Sequence, residues 1–566
     1  MSAPTPAPVT INVDGKELQV PAGMNLIDAL ERHGIEIPHY CYHPRLTVAG
    51  NCRMCLVETG MPMRDRQTNQ PVLEADGKPK IGWGPKPAVA CTTNCTPGLH
   101  VRTKTPMVKD CQEGVMEFLL VNHPLDCPIC DQAGECKLQE FATDYGRGYS
   151  RFVEEKNVKP KRTRLGPRVT LDDERCILCS RCVRFCSEIA KDDVLGFIER
   201  GSHSTLTCYP GRELNNNYSL NTVDICPVGA LTSTDFRFKM RVWFLKSVPS
   251  ICTESSVGVN TLVWSREGKI YRITPRDNGA VNDSWMSDSG REIFKQVEAP
   301  NRIDFFAVDN RKCPANDALA RVATLLKGGR VAYIASAQSS LEEQFLLRQI
   351  VEIEPGPVSL VSRARNGDGL LISNDATPNL RGAFLAGLAR ELPGTNLKKL
   401  HGQLETGEIG TIFAVNEDLS ALGFSDDLLR RANVIYLGTH ANKTSDLAQV
   451  VLPGLTVFEK TGSFVNQQWR AQRFFQVVPG PAGTVPDIQV LAQLLARISG
   501  SNAAPSTPDA VWQLLSARVP QLAGWTWESL GAQGKVLDAS AWAHLTFSEG
   551  KSLHYDPAAL TAVKTG

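Results

Sequence analysis

The run Cys176-x2-Cys179-x2-Cys182-x3-Cys186 packs four thiols into one short stretch, and Cys226-Pro227 follows far downstream. Thiolates at this spacing converge on one inorganic cluster, and the pattern marks a [4Fe–4S] site. Where two such sites share a domain, the fourth cysteine of a run serves the other cluster and precedes a proline. Here Ser187 follows Cys186, no second Cys-x2-Cys-x2-Cys run exists, and the proline follows Cys226. Cys226 is therefore expected to complete the Cys176, Cys179, Cys182 set, with Cys186 left to packing and Cys208 the weaker substitute.

Two further constellations precede this one. Cys41-x10-Cys52-x2-Cys55 places three thiols in one loop, and Cys91 returns from a distant segment. Three cysteines from a loop and one from afar is the plant-ferredoxin arrangement for a [2Fe–2S] cluster, although the first gap is longer here. Cys95 competes with Cys91 for the fourth place, and a four-cysteine zinc site stays open. The segment NHPLDCPICDQAGEC sets out His123-x3-Cys127-x2-Cys130-x5-Cys136. A zinc site of three cysteines and a histidine is the alternative. With iron, an imidazole in place of a thiolate lowers the negative charge of the site and alters its potential. Cys95, Cys111, Cys186, Cys208, Cys252 and Cys313 are left without a ligand role, each expected to be a small buried hydrophobe.

A fourth pattern is degenerate. Cys252-x2-Ser255-x3-Val259, with Ser287 after Trp285-Met286, keeps only one thiol, so no fourth cluster is expected there.

Sixteen of the 17 cysteines lie between Cys41 and Cys252, in a chain of 566 residues, where a disulfide framework is out of place. Lys plus Arg is 61 and Asp plus Glu is 60, a balance that gives no reason to expect nucleic acid or a lipid surface as partner. No apolar run is long enough for a transmembrane helix. The start, MSAPTPAPVT, shows neither a transit nor a secretory signal, so a soluble intracellular protein is expected.

These loops need a scaffold. VTINV and KELQV, joined by Asp14-Gly15, predict a hairpin. Asn25 to Gly34 predicts a short capped helix, and hairpin, helix and Cys-bearing loop give a β-grasp order. Residues 60–90, rich in Pro, Gly and Lys, read as a surface insertion, and 107–142 as mostly helical. KNVKPKRTRLGPR reads as a solvated basic connector, with a partner contact or electrostatics toward a nearby cluster as the alternatives. From about residue 245, GRVAYIAS, IGTIFAVN and ANVIYLG alternate with helical stretches such as LEEQFLLRQIVEIE, predicting a doubly wound parallel sheet. The Gly-rich dinucleotide fingerprint is missing after these strands.

EGVMEFLLVNHPLDCPICDQAGECKLQ, with ERCILCSRCVRFCSE and VDICPVGALT, resembles the large iron–sulfur subunit family of the NADH-dehydrogenase arm of respiratory complex I. The resemblance is strong over the first 300 residues and looser beyond. It implies a [2Fe–2S] cluster on Cys41, Cys52, Cys55 and Cys91. It implies [4Fe–4S] clusters on His123, Cys127, Cys130 and Cys136, and on Cys176, Cys179, Cys182 and Cys226. ANKTSDLAQVVLPGLTVFEKTGSFVNQQWRAQ resembles molybdopterin-dependent oxidoreductases, but the molybdenum-ligand context is absent, so a retained fold without that cofactor is expected.

The expected architecture is an α+β iron–sulfur region followed by an α/β domain. It comprises a [2Fe–2S] β-grasp domain over 9–105, a histidine-and-cysteine [4Fe–4S] domain over 106–146, a ferredoxin-like [4Fe–4S] domain over 166–244 and a degenerate molybdopterin-oxidoreductase-like domain over 245–566. By the resemblance the chain has no catalytic residue of its own. Its partners would be a flavin-bearing NADH-oxidising subunit, a small [2Fe–2S] subunit and connecting cluster-bearing subunits. It would lie in the peripheral arm on the cytoplasmic side of a bacterial inner membrane, and would meet the membrane only through the complex.

Overall fold

Asp14 and Gly15 both take positive φ, 48° and 84°, which two-residue hairpin turns require. The turn folds strand Pro8–Val13 antiparallel onto Lys16–Pro21. Asn25 accepts a hydrogen bond from the Ile27 amide (3.0 Å) and starts helix Leu26–Arg32, and Gly34, at φ 72°, leaves it. Strand His100–Arg102 then pairs parallel with the first strand and antiparallel with Leu56–Pro62, closing a mixed β-grasp sheet. Ile11, Val13, Val20, Leu26, Ile27, Leu30, Val57 and Val101 form its core. These contacts come from a computed structural model that describes residues 7–549 apart from 66, 395, 502 and 503. The end of the expected 245–566 domain, from 550, lies outside the described residues.

The 60–90 insertion is exposed but ordered by pairing. Strand Leu56–Pro62 runs into it and Ile81–Trp83 returns antiparallel, with Arg102 lying 3.7 Å over the Trp83 ring. Thr105 caps helix Pro106–Leu120, with Pro106 in the first turn, where its missing N–H costs nothing. Helix Lys137–Tyr145 follows.

The basic segment after it is more than a solvated connector, because two of its lysines find carbonyls and carboxylates of other segments. Lys156 donates to the carbonyls of Leu120 and Val121 (2.9 and 2.8 Å), and Lys161 pairs with Asp126 (2.7 Å) and with Glu174. The segment straps the His123 region to the ferredoxin-like part. That part holds the strand pairs Val169–Leu171 with Leu231–Ser233 and Leu195–Ile198 with Thr205–Cys208, and helix Arg181–Glu188.

The chain divides into two units after Phe244. The second begins with a three-stranded antiparallel sheet, Lys246–Ile251, Asn260–Arg266 and Lys269–Pro275, where the sequence predicts α/β structure. Its main sheet has seven strands. In spatial order they are Arg311–Cys313, Phe306–Val308, Val450–Pro453, Asn433–Gly438, Thr411–Val415, Val331–Ser336 and Val358–Val361, the last five mutually parallel. Tyr333 and Ala335 pack into one core, Ala332 and Ile334 into the other. A strand covered on both faces reads as an unbroken apolar run, which is why these three strands are visible in the sequence.

Candidate metal centres

All 17 cysteines are free thiols. Thiol-rich loops without disulfides suit metal ligation, and each predicted set can be followed through the first unit.

The hairpin and capped helix present the Cys41–Cys55 loop, and the short 3-10 turn Ala90–Thr92 carries Cys91 back to it. Cys41 hydrogen-bonds with Cys52 and with Cys91, and Cys91 also with Cys55. The bonds from Cys52 and Cys91 hold the Cys41 thiol far below its ordinary value, at about 2. The same bonds, together with burial, push Cys52 and Cys91 up. Four thiols thus share protons that a metal centre would displace on binding. Cys95, the competitor, is buried in the β-grasp core and raised to about 11 by burial alone.

Cys176, Cys179, Cys182 and Cys226 line one small apolar cavity together with Arg181, Val228 and Leu231. Leu178 and Ser180 take positive φ, 53° and 61°, and this left-handed kinking lets the loop turn its thiols inward. Burial raises all four thiols, Cys226 to about 12. Cys186 faces Asp192 and Cys208 and is also raised to about 12 by burial. Reading back from Cys226-Pro227 at ferredoxin spacing, the positions that a second run would occupy hold Asn216, Ser219 and Thr222. Ser219 and Thr222 are fully buried. Cys186 thus keeps the thiol of a set whose other members are hydroxyls and an amide.

Cys127, Cys130 and Cys136 come within electrostatic reach of one another, with Cys127 exposed and the other two buried. His123 sits just beyond helix Pro106–Leu120, and burial, then Arg175 and Lys156, lower its imidazole to about 4. It is neutral at pH 7, the form that ligates metal. Arg175 links this set to the next, facing Cys130 and pairing with Asp126 at 3.1 Å. The Lys137 amide donates to the Pro227 carbonyl (3.0 Å), and a Cβ on Gly229 would collide with Cys130 Sγ. Tyr40 lies near both Cys52 and Cys136. The three sets are neighbours in one unit.

Among the described residues, no three His, Cys, Asp or Glu side chains close tightly enough to hold a single metal ion. The fit to iron–sulfur clusters rests on donor chemistry: free thiols come together in fours in the Cys41 and Cys176 sets, in the latter around an apolar cavity, and in a three in the Cys127 set.

The degenerate fourth pattern is filled by a residue the sequence reading missed. Glu254 accepts from Ser287 Oγ (2.5 Å) and from Ser289 Oγ, and Arg365 stands 3.4 Å from it. Cys252 and Ser287 face each other across Gly290, where a Cβ would lie 2.8 Å from both. Ser255 turns away to the Leu371 carbonyl (3.3 Å). Of the six unassigned cysteines, Cys95, Cys186 and Cys252 are buried as expected, while Cys111, Cys208 and Cys313 are only partly covered.

Five family models match in series. They are a 2Fe-2S iron-sulfur cluster binding domain (6–106), the NADH-ubiquinone oxidoreductase-G iron-sulfur binding region (112–151) and the ferredoxin-like domain of NADH-quinone oxidoreductase subunit 3 (166–232). An NDSU1/NuoG-like 4Fe-4S domain (245–295) and molybdopterin oxidoreductase (337–497) follow. The G-type subunit of the NADH-quinone oxidoreductase of Rickettsia conorii is 40% identical over 61% of this chain and 49% of its own length. The mitochondrial NADH dehydrogenase [ubiquinone] iron-sulfur protein 1 of Solanum tuberosum is 39% identical over 61% of this chain and 44% of its own. The corresponding G-type subunit of Streptomyces coelicolor is 34% identical over 69% and 44%. The chain therefore spans about half the length of the curated relatives it matches. It carries 2Fe-2S and 4Fe-4S cluster-binding domains ahead of a molybdopterin-oxidoreductase-type α/β domain. In that series of domains, and in these relatives, the chain is similar to the NuoG-like iron–sulfur subunits of the NADH-quinone oxidoreductases.

Proposed function

We propose that this chain is an electron conduit of respiratory complex I, carrying electrons from an NADH-oxidising flavoprotein subunit toward the quinone-reducing module. The two four-thiol sets and the three-thiol group that lie together in one unit carry this reading. Cys41, Cys52, Cys55 and Cys91 would hold one [2Fe–2S] cluster. His123, Cys127, Cys130 and Cys136 would hold one [4Fe–4S] cluster, and Cys176, Cys179, Cys182 and Cys226 a second. Bound there, such clusters take up and release single electrons.

The chain's own residues supply ligation, desolvation and charge. Burial removes water from the thiols, and the cations Arg175, Arg181 and Arg184 offset the negative charge that clustered thiolates bring. The His123 imidazole adds no charge of its own. The Glu254 carboxylate, held by two serines and Arg365, occupies the degenerate fourth pattern, and neither a fourth cluster nor a molybdenum cofactor belongs to this reading. The α/β domain serves as scaffold.

The partners are the flavin-bearing subunit, the small [2Fe–2S] subunit and the connecting cluster-bearing subunits. The place is the peripheral arm, on the cytoplasmic side of a bacterial inner membrane. No described helix is long and apolar enough to cross a membrane, consistent with attachment through the complex. Anaerobic isolation of the native assembly tests this reading. Co-purification with a flavoprotein that oxidises NADH supports it, and an iron–sulfur chain isolated without such a partner contradicts it.

A further inference from the structure

Helix Arg181–Glu188 belongs to the Cys176–Cys226 site, yet its polar side chains are spent on the Cys41 loop. Arg181 donates from one Nη to the Tyr42 carbonyl and from the other to the Ile225 carbonyl (3.1 Å). Arg184 donates to the carbonyls of Cys41 and Thr47. Glu188 takes the Thr47 amide at 2.8 Å, and the Thr47 hydroxyl as well. Tyr42 and Ile225 each adjoin a predicted ligand, Cys41 and Cys226, so the Arg181 guanidinium spans the two sites directly.

One nitrogen of Arg181 is still unaccounted for. Arg181 lines the cavity of Cys176, Cys179, Cys182 and Cys226, and its Nε is buried with no hydrogen-bond partner among the described residues. A buried N–H without a partner costs roughly 1–3 kcal/mol, more on a charged group, so such an atom is expected to meet an acceptor. Cys179, Cys226 and Cys41 all favour its charge, against the burial that opposes it.

We propose that Arg181 donates its Nε–H to a sulfur of the group held by Cys176, Cys179, Cys182 and Cys226, and that Arg181 and Arg184 together clamp the Cys41 loop at a fixed distance from it. This rests on the iron–sulfur reading above. Arg181 and Arg184 are positioning residues. A positive charge and a hydrogen bond to sulfur both stabilise the more negative, reduced state of such a group, so Arg181 raises its potential. Arg184 acts mainly on spacing: its two Nη groups end on backbone carbonyls of the neighbouring loop and its Nε on Ser180 Oγ (3.2 Å), and its charge bears on Cys179 less than that of Arg181 does.

The test uses the full chain purified without oxygen, with redox titration followed by EPR and iron measured alongside. The unaltered protein is measured first: absence of iron–sulfur signals there defeats the reading above and leaves nothing for Arg181 to tune. Given those signals, Arg181→Gln should lower the reduction equilibrium constant of one [4Fe–4S] signal at least tenfold, about 59 mV for a one-electron couple. Arg181→Lys, which keeps the charge but loses the Nε donor, should fall between. Arg184→Gln should leave that potential within a factor of three and weaken the magnetic interaction between that signal and the [2Fe–2S] signal. Native potentials in both Arg181 variants at full iron content overturn the proposal, and so does undiminished interaction in Arg184→Gln. Should Arg181→Gln fail to take up iron, Arg181→Lys decides alone: a lowered potential supports the hydrogen bond and a native one overturns it.

Discussion

The Cys176–Cys182 loop brings three thiols into one cavity with Cys226, whereas the Cys252–Val259 loop brings one thiol beside a carboxylate. The first loop is partly and the second largely buried, and both hold an arginine nearby, Arg181 in the first and Arg365 in the second. In the first, the cation lines a cavity of thiols. In the second, Arg365 pairs with Glu254, whose oxygens are already engaged by Ser287 and Ser289. Unpaired buried charge is costly, and the two loops meet that cost differently: the second pairs its arginine with a carboxylate of its own, while the first sets its arginine among thiols.

The largest test of that contrast removes one thiol from each loop. Cys179→Ala should abolish one [4Fe–4S] EPR signal and stop quinone reduction in the assembled complex, while NADH oxidation by an artificial acceptor at the flavoprotein survives. Cys252→Ala and Cys186→Ala should leave every signal in place. A lost signal in either would show a ligand placed wrongly.

Next in size is a change of ligand charge. His123→Cys should keep a cluster but lower its potential, because a thiolate replaces a neutral imidazole. An unchanged potential at intact iron content would count against His123 as a ligand.

The second unit offers a pH test that involves no thiol. Burial raises Asp375 from 3.8 to about 7, with the nearby Glu549 carboxylate adding to the rise. The folded state therefore holds a proton there that the unfolded chain releases near pH 4. This contribution to stability is full below pH 4 and is lost as pH rises to 7, by up to about 4 kcal/mol. Asp375→Asn keeps the acceptor used by Thr377 and should flatten this slope in thermal melts at pH 5 and pH 8. An equally steep slope in the variant would refute the assignment.

Smaller still is Glu254→Ala, which strips two serines and Arg365 of their acceptor and should cost about 1–3 kcal/mol without changing iron content. A change in iron content would mean that the carboxylate is not a mere filler.

What the sequence reveals follows the range of the interactions. Asp14-Gly15, Asn25 and the unbroken runs around Ile334, Phe413 and Ile435 specify local backbone or two-sided burial, so hairpin, helix and parallel strands are legible. Ligand spacing within a loop is equally local. The difference between Cys91 and Cys95 is not, since both lie on one returning segment and only the fold sets Cys91 beside Cys41 and Cys55. The lysines of the 156–161 segment look solvated because their acceptors, Leu120, Val121, Asp126 and Glu174, belong to other segments. Arg181 and Arg184 look like ordinary helix-surface residues, because their acceptors lie more than a hundred positions away at Cys41, Tyr42 and Thr47. Glu254 is hidden for a different reason: attention to missing cysteines does not show what has replaced them.

Whether three converging ligand sets hold iron–sulfur clusters is tested most directly by metal and sulfide content. Iron, zinc and acid-labile sulfide should be quantified on the unaltered chain purified without oxygen, with EPR of the reduced protein. One [2Fe–2S] and two [4Fe–4S] clusters predict about ten irons and about ten sulfides per chain, with three distinct signals. Stoichiometric zinc without labile sulfide would contradict the iron–sulfur assignment of all three sets.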